Sequence, residues 1–180
     1  MTLISSDTNI WLDFEAIGEL DVPFLLPYTY LMAKKAISKE ILRPEDLALR
    51  LKRYGLKGVT LDETEELLVE SYSSNNMPKC FRRLTNYDRM ALAIAKNRGI
   101  MLLTGDNYLR QAAEAEHVPY MGTIGLLDKL NEAGFREQYS RCLQAFYKAL
   151  NDVRIRLPKE ELKTRLDILE ASEGGKHTDE

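Results

Sequence analysis

The sequence predicts an α/β protein whose parallel sheet is covered by helices on both faces. Three observations predict it. Short apolar runs of strand length alternate with helical stretches along most of the chain. The run Ile100–Leu103 is apolar without interruption, as a strand buried on both faces requires. The chain has 180 residues and is 44% apolar, enough for one such domain with a real core and an appendage.

Thr2–Ser5 reads as a short first strand running into Asp7-Thr8-Asn9, residue types that start helices. Ile10–Leu20 is then an apolar helix broken late by Gly18. Phe24–Met32 is apolar and aromatic and reads as a second strand, either near an edge or beginning after Pro27. Ala33–Leu42 is helix-like, and Pro44–Tyr54 follows as a short helix with proline in its first turn. Gly58–Leu61 is a third strand. Asp62 caps a helix to about Ser74, with Glu65 three residues on completing a capping box. Ser73–Lys79 is polar, carries Pro78 and reads as a loop. Thr85 or Asn86 caps a helix to Asn97, which Gly99 stops. Ile100–Thr104 is the next strand, Asn107–Glu116 a helix and Val118–Met121 the last strand, after which Thr123 caps another helix.

The last third differs in pattern. Phe135, Tyr139, Cys142, Leu143, Phe146 and Leu150 fall at helical spacing, and Pro158 opens a further helix with Leu162, Leu166 and Leu169 on one face. The expected organisation is a main domain at residues 1–133, a helical extension at 134–170 and a flexible tail at 171–180.

Composition narrows the chemistry. No apolar run reaches the roughly 20 residues that cross a bilayer, and Met1-Thr2-Leu3-Ile4-Ser5-Ser6 has no basic region ahead of a long apolar stretch, so a secretory leader is not expected. Cys80 and Cys142 are far apart, which predicts free thiols in a reducing compartment and a cytoplasmic location. His117 and His177 form no cluster, so zinc or histidine-based nucleophile chemistry has little support. The net charge of −3 counts against a protein that coats nucleic acid, but not against a nuclease, which must concentrate carboxylates. Locally, Lys79, Arg82, Arg83, Arg89, Lys96 and Arg98 surround the single acid Asp88, a field that suits a phosphate backbone. A solvated helix face is the plainer account of the same charges.

Sites in parallel α/β sheets form at the carboxyl ends of the strands. Asp7 follows the first strand and Asp106 follows Thr104-Gly105, so neighbouring strands would make their carboxylates converge. Asp88 lies in the first turn of a helix whose Ala91, Ile94 and Ala95 let it pack close to the sheet, and the helix dipole favours its ionised form. Taken singly, Asp7 and Asp106 are helix caps, Asp88 a dipole partner and Glu40 a surface ion-pair partner of Lys34, Lys35 or Lys39. Together they make an oxygen-rich site suited to Mg²⁺ or Mn²⁺.

The segments Leu3–Leu12, Leu26–Tyr28 with Ile37–Leu42, Asp88–Ala95, Leu103–Arg110 and Gly122–Leu127 resemble, in order, the motifs of the PIN-domain nucleases, in particular toxins of the VapC kind. The resemblance covers about residues 3–130. The approach to the third acid, Thr85-Asn86-Tyr87-Asp88-Arg89, is larger and more charged than usual in that family, and Glu45 and Asp46 lie close after Glu40. The resemblance implies a three-layer PIN-like fold and metal-dependent hydrolysis of RNA phosphodiesters, leaving a 5′-phosphate. Asp7, Asp88 and Asp106 would be metal ligands and Glu40 the group that holds or deprotonates the attacking water. Thr8, Asn9 and Thr104 are candidate orienting residues, and capping is their equal alternative. Arg82, Arg83 and Arg89 are candidates for phosphate contact. A homodimer and an inhibitory antitoxin partner are further implications. Trp11, Phe14 and Ile17 fall at helical spacing and read either as the core face of their helix or, for Trp11, as the lining of a groove that such a partner fills. The alternative is a monomer whose C-terminal helices fill that groove.

The main alternative is a non-catalytic PIN-like module that binds RNA or protein, which would have lost an acid. An aspartate-phosphorylating hydrolase would need a second aspartate where Asn9 stands. A receiver domain would need a lysine near Val118–Met121, where there is none.

Overall fold

The computed structural model describes residues 1–152 and 154–174. Five parallel strands form one sheet in the order β3-β2-β1-β4-β5. These are β1 (Thr2–Ser6), β2 (Tyr28–Ala33), β3 (Lys57–Val59), β4 (Met101–Leu103) and β5 (Tyr120–Met121). Helices flank the sheet: α1 (Thr8–Ala16), α2 (Lys34–Lys39), α3 (Leu47–Tyr54), α4 (Glu63–Tyr72), α5 (Asn86–Arg98), α6 (Asn107–Ala115), α7 (Thr123–Glu132), α8 (Arg136–Lys148) and α9 (Lys159–Gly174). The expected α/β class and parallel sheet are therefore present.

β1 lies at the centre. Ile4, Ser5 and Ser6 pair in parallel with Met101, Leu102 and Leu103 of β4, and Thr2–Ser5 pair with Tyr28–Leu31 of β2. Strand alternation sends Leu103 into one apolar cluster, with α1, α7, α8 and α9, and Leu102 into a second, with α6. The two buried serines of β1 serve as fasteners. Ser5 Oγ donates to the Ala91 carbonyl of α5 at 2.8 Å and Ser6 Oγ to the Leu31 carbonyl at 3.2 Å. The first of these bonds, with small residues at Ala91 and Ala95, seats α5 tightly on the sheet.

Caps written in the sequence set several helix boundaries. Asp62 and Glu65 form the capping box of α4, and Thr85 and Asp88 form that of α5. Gly99 ends α5 at φ 60°, a left-handed conformation that glycine adopts without a Cβ clash. A side chain at Gly58 would come within 3.0 Å of Lys34 Cγ, so glycine there lets α2 settle against β3.

Several elements differ from the sequence expectation. Pro23 opens a 3-10 turn at Val22–Leu25, so β2 starts only after Pro27, and it lies between β1 and β3 rather than at an edge. α2 ends at Lys39 and leaves Glu40 as its C-cap. α3 starts at Leu47, three residues beyond Pro44. Thr123 is the first residue of α7, whose N-cap is Gly122. Trp11 lines no groove. It is fully buried, stacked on Phe24 at 5.2 Å, edge-on to Tyr30 at 5.1 Å, with its Nε1 donating to Ser6 Oγ at 3.1 Å. A buried hydroxyl partner for the indole N–H removes the usual reason for tryptophan to stay partly exposed.

The apolar stripe of α8 is covered within the chain. Cys142, Leu143 and Phe146 are fully buried, and Phe146 meets Phe14 edge-on at 5.5 Å. α9 packs over α8 and is tied to α7 by Arg165, whose Nε and one terminal nitrogen each reach Asp128 at 2.7 Å. Residues 171–174 form the last turn of α9, and the rest of the expected tail, 175–180 with His177, lies outside the described residues.

Candidate active site

Three helix N-termini meet where β1 and β4 end, and each carries an aspartate. The Asp7 N–H donates to the Leu103 carbonyl at 3.1 Å, which places Asp7 directly beside the end of β4. Asp7 caps α1, its Oδ1 accepting from Asn9 N–H at 2.7 Å and Ile10 N–H at 3.4 Å. Asp106 caps α6, its Oδ1 accepting from Leu109 N–H at 2.8 Å. Asp88 sits in the first turn of α5, its Oδ2 accepting from Thr85 N–H at 2.7 Å. Capping and site formation are thus one placement, because a cap holds its carboxylate at the helix mouth.

Thr104 joins two of these acids. Its hydroxyl donates to Asp7 Oδ2 and accepts from Asp106 N–H at 3.1 Å. Thr8, on the other side, donates to Glu40 Oε2 at 2.5 Å and holds that carboxylate beside α1. Asn9 contributes its backbone N–H to the Asp7 cap. Among the described residues, Asp88 Oδ1, Asp106 Oδ2 and Glu40 Oε1 accept no hydrogen bond, so these three acids each keep one oxygen for a ligand, whereas both oxygens of Asp7 accept hydrogen bonds.

The acids feel one another. Asp7 is only 4% exposed, and burial pushes its carboxyl up to about 7 against the Thr104 hydrogen bond, with the Asp88 charge adding to the rise. Burial also raises Asp88; hydrogen bonds from Thr85 oppose this, Asp106 adds to it and Arg89 opposes it. Glu40 is raised by burial and by Asp88, against the bond from Thr8. Asp88 is therefore the common neighbour through which Asp7, Asp106 and Glu40 form one electrostatic cluster.

A family model described as a PIN domain, DUF3368, matches residues 3–171. The chain belongs to the PIN-domain family. No curated protein and no solved structure matches it significantly. PIN domains are in general nucleases that act on nucleic acid with divalent metal ions. The match runs through α8 and into α9, well past the end of the sequence resemblance near residue 130.

The donor set of this PIN domain suits a hard divalent ion. It consists of carboxylate and hydroxyl oxygens, with mutual repulsion that a cation relieves. Among the described residues, however, no three Asp, Glu, His or Cys side chains stand close enough together to hold an ion as they are.

Arg82 and Arg83 are exposed on the 3-10 turn Lys79–Arg83, and Arg89 is half-buried, one nitrogen 3.5 Å from the Phe81 carbonyl. One acid escaped the sequence reading. Asp13, on the inner face of α1, is buried and accepts a hydrogen bond from Thr123 Oγ1 at 3.0 Å. Its Oδ2 lies 3.9 Å from where a side chain at Gly105 would begin, and burial pushes it up to about 6. It therefore links α1 to the start of α7 behind the turn that carries Asp106. An acid within the apolar face of Ile10 and Phe14 was the available signal.

Proposed function

We propose that this chain is a metal-dependent endoribonuclease in which Asp7, Asp88 and Asp106 hold one or two Mg²⁺ or Mn²⁺ ions. The carrying observation is that Asp7 and Asp106 stand at the adjacent carboxyl ends of β1 and β4, joined by the Thr104 hydroxyl, with Asp88 at the start of α5 and Glu40 at the end of α2 within reach of their charge. When bound, the ion polarises the phosphate and lowers the pKa of a water. Glu40, oriented by Thr8, accepts the proton of the attacking water. The water oxygen bonds to phosphorus as the bond to the leaving 3′-oxygen breaks, which leaves a 5′-phosphate. Arg82, Arg83 and Arg89 attract the RNA backbone beside the acids.

Purified protein is expected to cleave single-stranded RNA with Mg²⁺ or Mn²⁺ and to stop in chelator. RNA binding without cleavage under any divalent ion would favour the non-catalytic PIN-like module instead. Thr104→Val keeps the side-chain shape but removes both bonds of the hydroxyl. It is expected to lower kcat roughly 10–100-fold, as loss of a group that orients metal ligands does, with the folded structure retained by circular dichroism. Unchanged kcat would remove Thr104 from the positioning role.

The role of toxin in a toxin–antitoxin pair, the antitoxin partner and the homodimer are proposed from the family resemblance. Light scattering on the chain alone and with a co-expressed partner tests them. A cytoplasmic, reducing location fits the free thiols of Cys80 and Cys142. Among the described residues no helix is long and apolar enough to cross a membrane.

A further inference from the structure

We infer that Tyr108, held by Arg83, is a stacking platform for an unpaired nucleobase beside the scissile phosphate. The inference rests on the nuclease reading above and adds a substrate-contacting side chain to it. Tyr108 is the second residue of α6, two positions after Asp106, and 41% of its surface is open. The Arg83 guanidinium lies 5.8 Å from the ring centroid. Arg83 ends the Lys79–Arg83 turn, two positions before Thr85, whose N–H and hydroxyl hold Asp88. The ring and the guanidinium therefore bridge the two segments that carry Asp106 and Asp88.

The support beneath them is firm. Phe81 of the same turn is buried against Tyr72, at 5.2 Å between rings, and this anchors the turn while Arg82 and Arg83 stay outside. A guanidinium over an aromatic ring restrains it at low cost. The ring then offers a π surface next to cationic groups, which is the chemistry that grips single strands. Duplex bases have both faces covered by their neighbours, so the platform selects unpaired RNA.

The test measures binding by fluorescence anisotropy with a short single-stranded RNA and with an abasic ribose-phosphate oligomer of the same length. The full chain is used in chelator, and Asp7→Asn, which is not expected to cleave, in Mg²⁺. Adding Tyr108→Ala is expected to weaken binding of the RNA roughly tenfold and to leave binding of the abasic oligomer unchanged. Tyr108→Phe is expected to bind RNA like the parent. Equal affinity of Tyr108→Ala and the parent for RNA overturns the platform, as does an equal loss on both oligomers. If the parent binds no RNA at all, the nuclease reading fails and takes the platform with it.

Discussion

Replacing Asp7 by Asn is expected to abolish RNA cleavage, by on the order of a thousandfold or more in kcat, while the protein stays folded. Asparagine caps helices as well as aspartate does, so its Oδ1 can still accept from Asn9 and Ile10. The side-chain amide can donate to the Thr104 hydroxyl where the carboxylate accepted from it. What disappears is one negative charge at the centre of the acidic cluster. Cleavage that survives the substitution would mean that the activity belongs to another site or another protein.

The same substitution carries a pH signature. The Asp7 carboxyl is raised from 3.8 to about 7, so the folded chain binds this proton more tightly than the unfolded chain. Stability from this group is fully present below about pH 4 and is lost as pH rises through about 7. In chelator at pH 8, Asp7→Asn is therefore expected to be more stable than the parent, on the order of a few kcal/mol, with the gap closing towards pH 4. Asp13 is raised in the same direction, to about 6, so the variant keeps a shallower slope of its own. Added Mg²⁺ is expected to narrow the gap at pH 8, because it binds the folded parent and favours it. Denaturant titrations across this range check the sign. A parent more stable than the variant at pH 8 in chelator would show that Asp7 is held charged by its hydrogen bonds.

The parts of the fold that rest on local chemistry were legible beforehand. The capping box at Asp62 and the stop at Gly99 are short-range devices and appear where their residues stand, and of the two candidate caps Thr85 and Asn86 the structure uses Thr85, in a box closed by Asp88. The sequence placed Asp7 and Asp106 after strands and made their convergence conditional on those strands being neighbours, and the parallel pairing of β1 with β4 meets that condition. Tertiary contacts were harder to read. Trp11 is buried because Phe24 and Tyr30, on later elements of the chain, pack against its ring while Ser6 supplies a hydroxyl for its N–H. Asp13 was passed over because its hydroxyl partner is Thr123, more than a hundred residues away. Of the site, the position of each aspartate at a strand end or helix start was readable. The Thr104 bridge and the coupling through Asp88 needed three dimensions.

Deleting residues 134–180 is expected to prevent cooperative folding of the remaining chain. Tyr139, Cys142, Leu143, Phe146 and Leu162 are all buried, and they belong to the same apolar cluster as Ile4, Phe14 and Leu103. Each large apolar side chain contributes roughly 1.5–3 kcal/mol by leaving water. Their sum is comparable with the whole stability of an ordinary domain. The deletion also strips Arg141 from Glu19 and Arg165 from Asp128, but those partly exposed pairs matter less than the uncovered faces of Phe14, Leu126, Leu127 and Leu130. A fragment of residues 1–133 should therefore aggregate or bind a hydrophobic dye, with no sharp unfolding transition. Its RNA cleavage should be lost, although all four acids remain, because α1 carries Asp7 on one end and Phe14 on the face that α8 covers. A soluble fragment that unfolds cooperatively and cleaves RNA would show that the C-terminal helices are an independent addition, whose apolar face is free to exchange for a partner.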